Sequence, residues 1–200
     1  MAGPEPDDVL VRRAVDGDQG AFTELVRRHE GRVFAVALRM LGREEDALDA
    51  AQDAFLTVYR KAGQFRGDSA FTTWLHRITV NACYDILRRR ARQPLLRAVG
   101  DDEREIEPGP PVEDHAATVA GGLDVQRALM EVPEDFRAVL ILADVHDLAY
   151  EEIATILEIP TGTVKSRLHR GRVALGRVMG LEGGRGREPD GPPDASEGGS

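Results

Sequence analysis

The chain has 200 residues and a formal net charge of −9, and at 42% hydrophobic and 30% charged it has the make-up of a soluble globular protein with room for one ordinary domain or two small ones. Its longest unbroken apolar runs, Val33–Leu38 and Ala138–Ala143, span six residues each, far short of the roughly 18 that a membrane span needs. The start, MAGPEPDDVLVRR, lacks the basic and apolar segments of a secretory signal, and the lone Cys83 excludes an internal disulfide and any multi-cysteine metal site, so the expected location is the cytoplasm.

Proline and glycine punctuate the chain at its start, over 92–122 and past Gly180. Two predicted folded blocks remain, over 1–93 and 123–180, and with no alternating β-branched run in either the fold class is all-α. In the first block Phe22, Leu25, Val26, Val33, Ala37 and Leu41 follow helical spacing, with Gly42 as the stop. A second helix carries Ala47, Ala50, Ala51, Ala54, Phe55, Val58, Tyr59 and Ala62 on its core side and is ended by Gly63. After the loop 64–69, a third helix places Phe71, Leu75, Ile78, Thr79, Ala82 and Ile86 within about 100° of arc. Residues 94–122 read as a flexible, self-repelling linker: from Asp101 to Asp124 acids outnumber bases eight to one. The second block opens with Val125–Met130, restarts at Pro133, and continues with the apolar positions Phe136, Val139, Leu140 and Leu142. The short helix Tyr150–Leu157, a turn, and a basic helix beginning at Thr163 form a helix-turn-helix pattern. The end, 181–200, is tail-like by composition.

Charge divides unevenly along this plan. His76–Arg97 holds six arginines and one acid, and Thr161–Val178 holds five cations and no acid. Local basic patches on an acidic chain suit a nucleic-acid binder, although solvated helix ends would look the same by charge alone. On the last helix Val164, Leu168, Gly171, Leu175 and Val178 share a face that must pack inward. Ser166, His169, Arg170 and Arg177 point the other way, flanked by Lys165, Arg172 and Arg167. Base edges take donors from such a helix, flanking cations hold phosphates, and Thr163 is placed to cap its start. On the third helix Arg77, Asn81, Tyr84 and Arg88 lie opposite the apolar face. That stripe suits exposed bases, with Trp74 nearby; Trp74 alone reads better as core. On the second helix Glu45, Asp49, Gln52, Asp53 and Leu56 form an outward acidic stripe, which by residue physics alone reads as a solvated face. The five histidines show no ligand spacing, and no glycine loop precedes a lysine. Gly67–Phe71 lacks the closing glycine of a nucleophile elbow. No catalytic residue, metal site or cofactor is expected.

The strings REEDALDAAQDAFLTVYRKAGQF, TTWLHRITVNACYDILRRR and AYEEIATILEIPTGTVKSRLHRGRVAL, in that order and separation, resemble the extracytoplasmic-function group of bacterial sigma factors over residues 8–179. The resemblance implies a region 2 bundle and a region 4 helix-turn-helix joined by the acidic linker, which in this family threads through polymerase. It also implies that Asp46, Asp49, Gln52, Asp53 and Phe55 dock on the clamp helices of the largest subunit of core RNA polymerase, and that region 4 meets the flap of the second. Arg66, Asp68 and Ser69 would hold a flipped base of the minus-ten element, with Trp74, Arg77, Asn81 and Arg88 along the melted strand. Thr163, Lys165, Ser166, Arg167, His169, Arg170 and Arg172 would meet the minus-thirty-five element. Promoter DNA and an anti-sigma factor are the further partners implied, with no membrane contact of the chain's own. Glu158 departs from the pattern, standing in the turn where the family often has glycine. The competing readings are a one-component helix-turn-helix regulator, for which the first block would need a ligand-sensing fold, and an enzyme, for which no constellation is present.

Overall fold

The structure, a computed structural model, describes residues 5–97 and 119–180, and every regular element among them is helical. The first unit contains α1 (Asp7–Val15), α2 (Gln19–Leu41), α3 (Glu44–Lys61), a 3-10 turn (Ala62–Gln64) and α4 (Phe71–Arg97). Asp18 caps α2, its Oδ1 accepting from the Ala21 N–H at 3.1 Å. Gly42 ends that helix in the left-handed conformation, φ 77°, with its N–H donating to Leu38. Asp7 fastens α1 onto α2 by accepting from Arg28 at 3.1 Å and meeting His29 Nε2 at 2.7 Å. Beneath these contacts Leu10, Leu25, Val33, Val58, Phe71 and Leu75 close one core.

The second unit contains α5 (Val119–Glu131), α6 (Glu134–Leu140), a π turn (Ile141–Val145), α7 (Tyr150–Leu157) and α8 (Thr161–Val178). Gly171 lets α8 cross α6 closely: a Cβ there would lie 2.9 Å from Leu140 and 3.2 Å from the Phe136 carbonyl. A second core does not stop at the unit boundary. It joins Met40 of α2 and Val80 and Cys83 of α4 to Leu140, Ile153 and Leu168 of the second unit. α4 is therefore covered on both sides, α2 and α3 on one and α7 on the other. The sequence shows one apolar face on this helix, Leu75/Ile78/Ala82. His76, Val80, Tyr84 and Leu87 supply the other side, where a histidine and a tyrosine stand among aliphatic residues.

Several sequence expectations shift. α4 runs to Arg97 and α5 begins at Val119, so helix enters both ends of the linker expected over 94–122. The acid-rich residues between lie outside the described residues, as does the tail expected over 181–200. Gly63 falls inside the 3-10 turn after α3 has ended at Lys61. Tyr59, grouped with the core, is 59% exposed, its ring resting edge-on against Phe22 at 5.1 Å. Val178 is likewise exposed, because α8 outruns the helices it packs on. Thr163 does not cap α8. Proline fixes φ and lacks an N–H to satisfy, so Pro160 takes the N-cap position, the helix starts at Thr161, and the Thr163 N–H donates to the Pro160 carbonyl at 2.8 Å.

Candidate nucleic-acid and partner surfaces

α8 is held by Val164 and Leu168, both buried, and turns its N-terminal half outward. Lys165, Ser166, His169 and Arg170 are exposed, with the Ser166 hydroxyl donating to the Thr163 carbonyl at 3.0 Å. Two of the predicted cations are committed elsewhere. Arg167 pairs with Asp135 at 2.7 Å, and Arg172 makes a two-pronged contact with Asp144 at 2.6 and 3.1 Å. Among the described residues Lys165 and Arg170 have no ion-pair partner. The helix thus presents a smaller set of uncommitted donors than its composition suggests.

Where α7 turns into α8, Glu158 adopts φ 55° and ψ 42°, the left-handed conformation that glycine takes without cost. The turn therefore forms with glutamate in the place where the family often has glycine. The Ile159 N–H closes it on the Ala154 carbonyl at 3.1 Å. At the other end of α7, Glu152 accepts from the Ala149 N–H at 3.1 Å.

On the first unit, the loop after the 3-10 turn folds against the start of α4 and encloses a cavity of about 260 Å³. Arg66, Asp68, Ser69, Trp74 and Arg77 all line it, so five of the residues predicted along the melted strand meet at one place. Trp74 serves both readings open in the sequence. It is half-buried in an aromatic cluster with Phe65 (5.3 Å) and Phe71 (6.0 Å), and one side of it faces the cavity. Sequence reasoning missed Phe65, Thr73 and, from the second unit, Thr155.

Asn81 is not part of that group. It lines a separate cavity of about 270 Å³ between α3 and α4, shared with Arg60, Lys61, Asp53 and Asp85. Arg60 and Lys61 were legible as a basic pair just before Gly63. Arg88 is exposed, paired with Asp85, and lines neither cavity.

The outer side of α3 carries Glu45, Asp49, Gln52, Asp53 and Leu56, all exposed as the spacing requires. Leu48 (55% exposed) and Tyr59 lie on the same side, so the stripe is apolar as well as acidic. Asp53 has Arg89 at 3.6 Å, whereas Asp49 has no ion-pair partner among the described residues. Two residues predicted for docking sit differently. Asp46 is half-buried and paired with Arg90, and Phe55 packs against the first core. Both hold the helix in place, and the outer stripe stays exposed.

Buried groups elsewhere titrate far from their ordinary ranges. Burial pushes the Cys83 thiol up to about 12, and burial also pushes Tyr84 up to about 12, with Asp135 adding to the effect. Among the described residues no group of three His, Cys, Asp or Glu could hold a metal ion, and no helix is long and apolar enough to cross a membrane.

Comparison with known proteins adds the context. Residues 25–93 match the model for sigma-70 region 2, and residues 122–175 match that for sigma-70 region 4. The chain is 36% identical over 190 residues to the RNA polymerase sigma-H factor of Pseudomonas aeruginosa, covering 90% of this chain and 96% of that one. It is 41% identical over 174 residues to the ECF RNA polymerase sigma factor SigM of Mycobacterium tuberculosis, covering 87% and 85%. Among solved structures, CnrH in complex with the cytosolic domain of CnrY aligns with a TM-score of 0.63 at 27% identity, over 89% of this chain and 99% of that one.

Proposed function

Because the chain belongs to the extracytoplasmic-function sigma factors of the sigma-70 family, and is a transcription initiation factor that directs polymerase to promoters, we propose the following division of work among its surfaces. The outer stripe of α3, with Asp49 and Gln52 at its centre and Leu48 and Leu56 as apolar anchors, docks on the clamp helices of core RNA polymerase. The second unit, over 123–180, meets the flap and reads the minus-thirty-five element through Lys165, Ser166, His169 and Arg170. The first unit, over 1–93, opens the minus-ten element. A base leaving the stack enters the cavity bounded by Arg66, Asp68, Ser69, Trp74 and Arg77, while Asn81 holds a second unpaired base from the neighbouring groove. Stacking and donors to base edges reward the strand only once it is single, so binding energy is converted into melting. The residues 98–118 thread the polymerase. The chain has no catalysis or cofactor of its own, works in the cytoplasm, and is held in check by an anti-sigma partner; CnrH, to which it is similar, forms a complex with another protein, the cytosolic domain of CnrY.

The observation that carries this reading is the contrast on α8: Lys165 and Arg170 stand exposed and without acid partners, beside Arg167 and Arg172, which are neutralised within the unit. Arg170→Ala should weaken holoenzyme binding to the upstream element by about 1–3 kcal/mol and relax its base preference. Arg167→Ala should cost less, act on all sequences alike and leave the preference intact, because Asp135 already claims that charge. Competition binding at several salt concentrations separates them, and equal behaviour of the two variants would refute the assignment.

A further inference from the structure

α8 carries more positive charge than it offers to a ligand, and two acids on other elements set the difference. Measured from the buried line of Val164, Leu168 and Gly171, Arg167 and Arg172 stand about 70° to either side by helix geometry. α6 crosses α8 along that line, close against Gly171, and the chain leaves an acid on each side of the crossing. Asp135, in the first turn of α6, accepts from Arg167 Nη2 at 2.7 Å. Asp144, in the π turn that follows α6, accepts from Nε and Nη2 of Arg172 at 3.1 and 2.6 Å. The second contact takes up the forked edge that a guanidinium would otherwise turn toward a phosphate, and its hydrogen bond holds Arg172 above its ordinary pKa. Arg172 is 57% and Asp135 is 56% exposed. Pairs this open to solvent add little to folding stability, which leaves an acid on both flanks to be explained by what the arginines do.

We propose that Asp135 and Asp144 are specificity-determining residues of the minus-thirty-five surface: each withholds one arginine of α8 from the phosphate backbone and leaves recognition to the outward-facing Lys165, Ser166, His169 and Arg170. The proposal rests on the reading of α8 as the minus-thirty-five helix. Phosphate contacts raise affinity for every sequence, whereas contacts to base edges separate one sequence from another. On unrelated DNA the helix can settle in whichever register gives a released arginine a phosphate. On the correct element the base contacts fix the register, and the arginine gains only what that single position provides. Freeing Arg167 or Arg172 therefore strengthens binding to wrong sites more than to right ones.

The test uses holoenzyme assembled with the full chain and two competing DNAs, a promoter duplex and the same duplex with its upstream element scrambled, at several salt concentrations. Asp135→Asn and Asp144→Asn keep the size of each side chain and remove its charge. Each should tighten binding to the scrambled duplex about threefold and steepen the fall of log affinity with log salt by about 0.9, the mark of one further phosphate contact. Binding to the promoter duplex should rise by less than about twofold, so that discrimination falls. Starting from Arg167→Ala, the Asp135→Asn change should do nothing, and the same holds for Asp144→Asn starting from Arg172→Ala. A gain that survives without the arginine would reduce the effect to overall charge and overturn the proposal. So would an unchanged salt slope, an equal gain on both duplexes, or weaker binding by the Asn variants, which would make the acids supports for the arginines' grip on DNA. Wild-type holoenzyme that does not distinguish the two duplexes would instead remove α8 from the minus-thirty-five assignment, and the proposal would fall with it.

Discussion

Arg137 is a cation with only 6% of its surface exposed, and the acids near it, Glu134 and Glu131, act at a distance without pairing to it. Its guanidinium is surrounded by carbonyl oxygens. Nη1 donates to Met40 at 2.6 Å, and Nη2 donates to Met130 and to Val132, each at 2.9 Å. Two of these oxygens lie in the last turns of α2 and α5, where helices leave carbonyls unsatisfied. Truncation to Ala strands three buried acceptors at about 1 kcal/mol or more each, while recovering the cost of burying the charge, which holds the Arg137 pKa below its ordinary value. The net loss should be about 3 kcal/mol, or roughly 6–12 °C in Tm for a chain of this size. Arg137→Lys should recover part of this, since one ammonium cannot reach all three oxygens. Denaturant titration followed by helical circular dichroism measures both, with the slope checked for constancy. A loss under about 0.5 kcal/mol for the Ala variant would refute the idea that this guanidinium joins the two units.

Lowering the pH should loosen the same interface. His76 is held down to about 4 by burial first and by His146 second, and burial also lowers His146, while Arg32, Arg39 and His29 add positive potential and no acid offsets them. The unfolded chain takes up protons near pH 6.5 that the fold refuses. Stability should therefore be full above that pH and fall by about 3 kcal/mol as it drops toward 4, and a His76→Gln/His146→Gln variant should lose most of that fall, keeping only the part that carboxylates such as Glu24 add near the acid end. Asp49→Arg with Gln52→Ala should abolish capture by core polymerase while leaving circular dichroism unchanged; capture at the wild-type level would remove α3 from the docking assignment. Asn81→Ala should form closed promoter complexes almost normally and open ones poorly, with recovery on a template mismatched across the minus-ten element. Permanganate reactivity of unpaired thymines reads this directly, and wild-type opening of duplex DNA would exclude Asn81 from strand capture.

What could be read before the structure was whatever depends on near neighbours in sequence. The apolar spacing of Leu25 and Val33, the stop at Gly42 and the outward stripe from Glu45 to Leu56 each follow from the period of a single helix. The exposed row on α8 follows in the same way. The second face of α4 was missed because His76 and Tyr84 are residues that composition assigns to surfaces. Only the packing of the second unit makes them interior, with His146 beside His76 and Asp135 beside Tyr84, contacts across 50 or more positions in the chain. For the same reason Arg167 and Arg172 looked like free cations: their partners, Asp135 and Asp144, are on other elements. The cavity was half legible. Its loop came from motif resemblance and Arg77 from the donor stripe on α4, whereas Thr155 and the 3.3 Å contact of Arg77 with Glu158 belong to the packing of one unit on the other. Asp46 matched the docking motif, and the structure shows it turned inward to Arg90.

The central claim is that this chain confers promoter choice on polymerase. The direct measurement is transcription from fragmented genomic DNA by core enzyme with and without the purified chain, with every start site mapped. The expected result is a discrete set of starts that core enzyme alone does not make, preceded by a shared pair of upstream elements, and lost when the chain carries Asp49→Arg and Gln52→Ala. If the chain instead binds DNA without polymerase and only alters the strength of starts that another factor directs, it is a conventional regulator, and the account given for both units is contradicted.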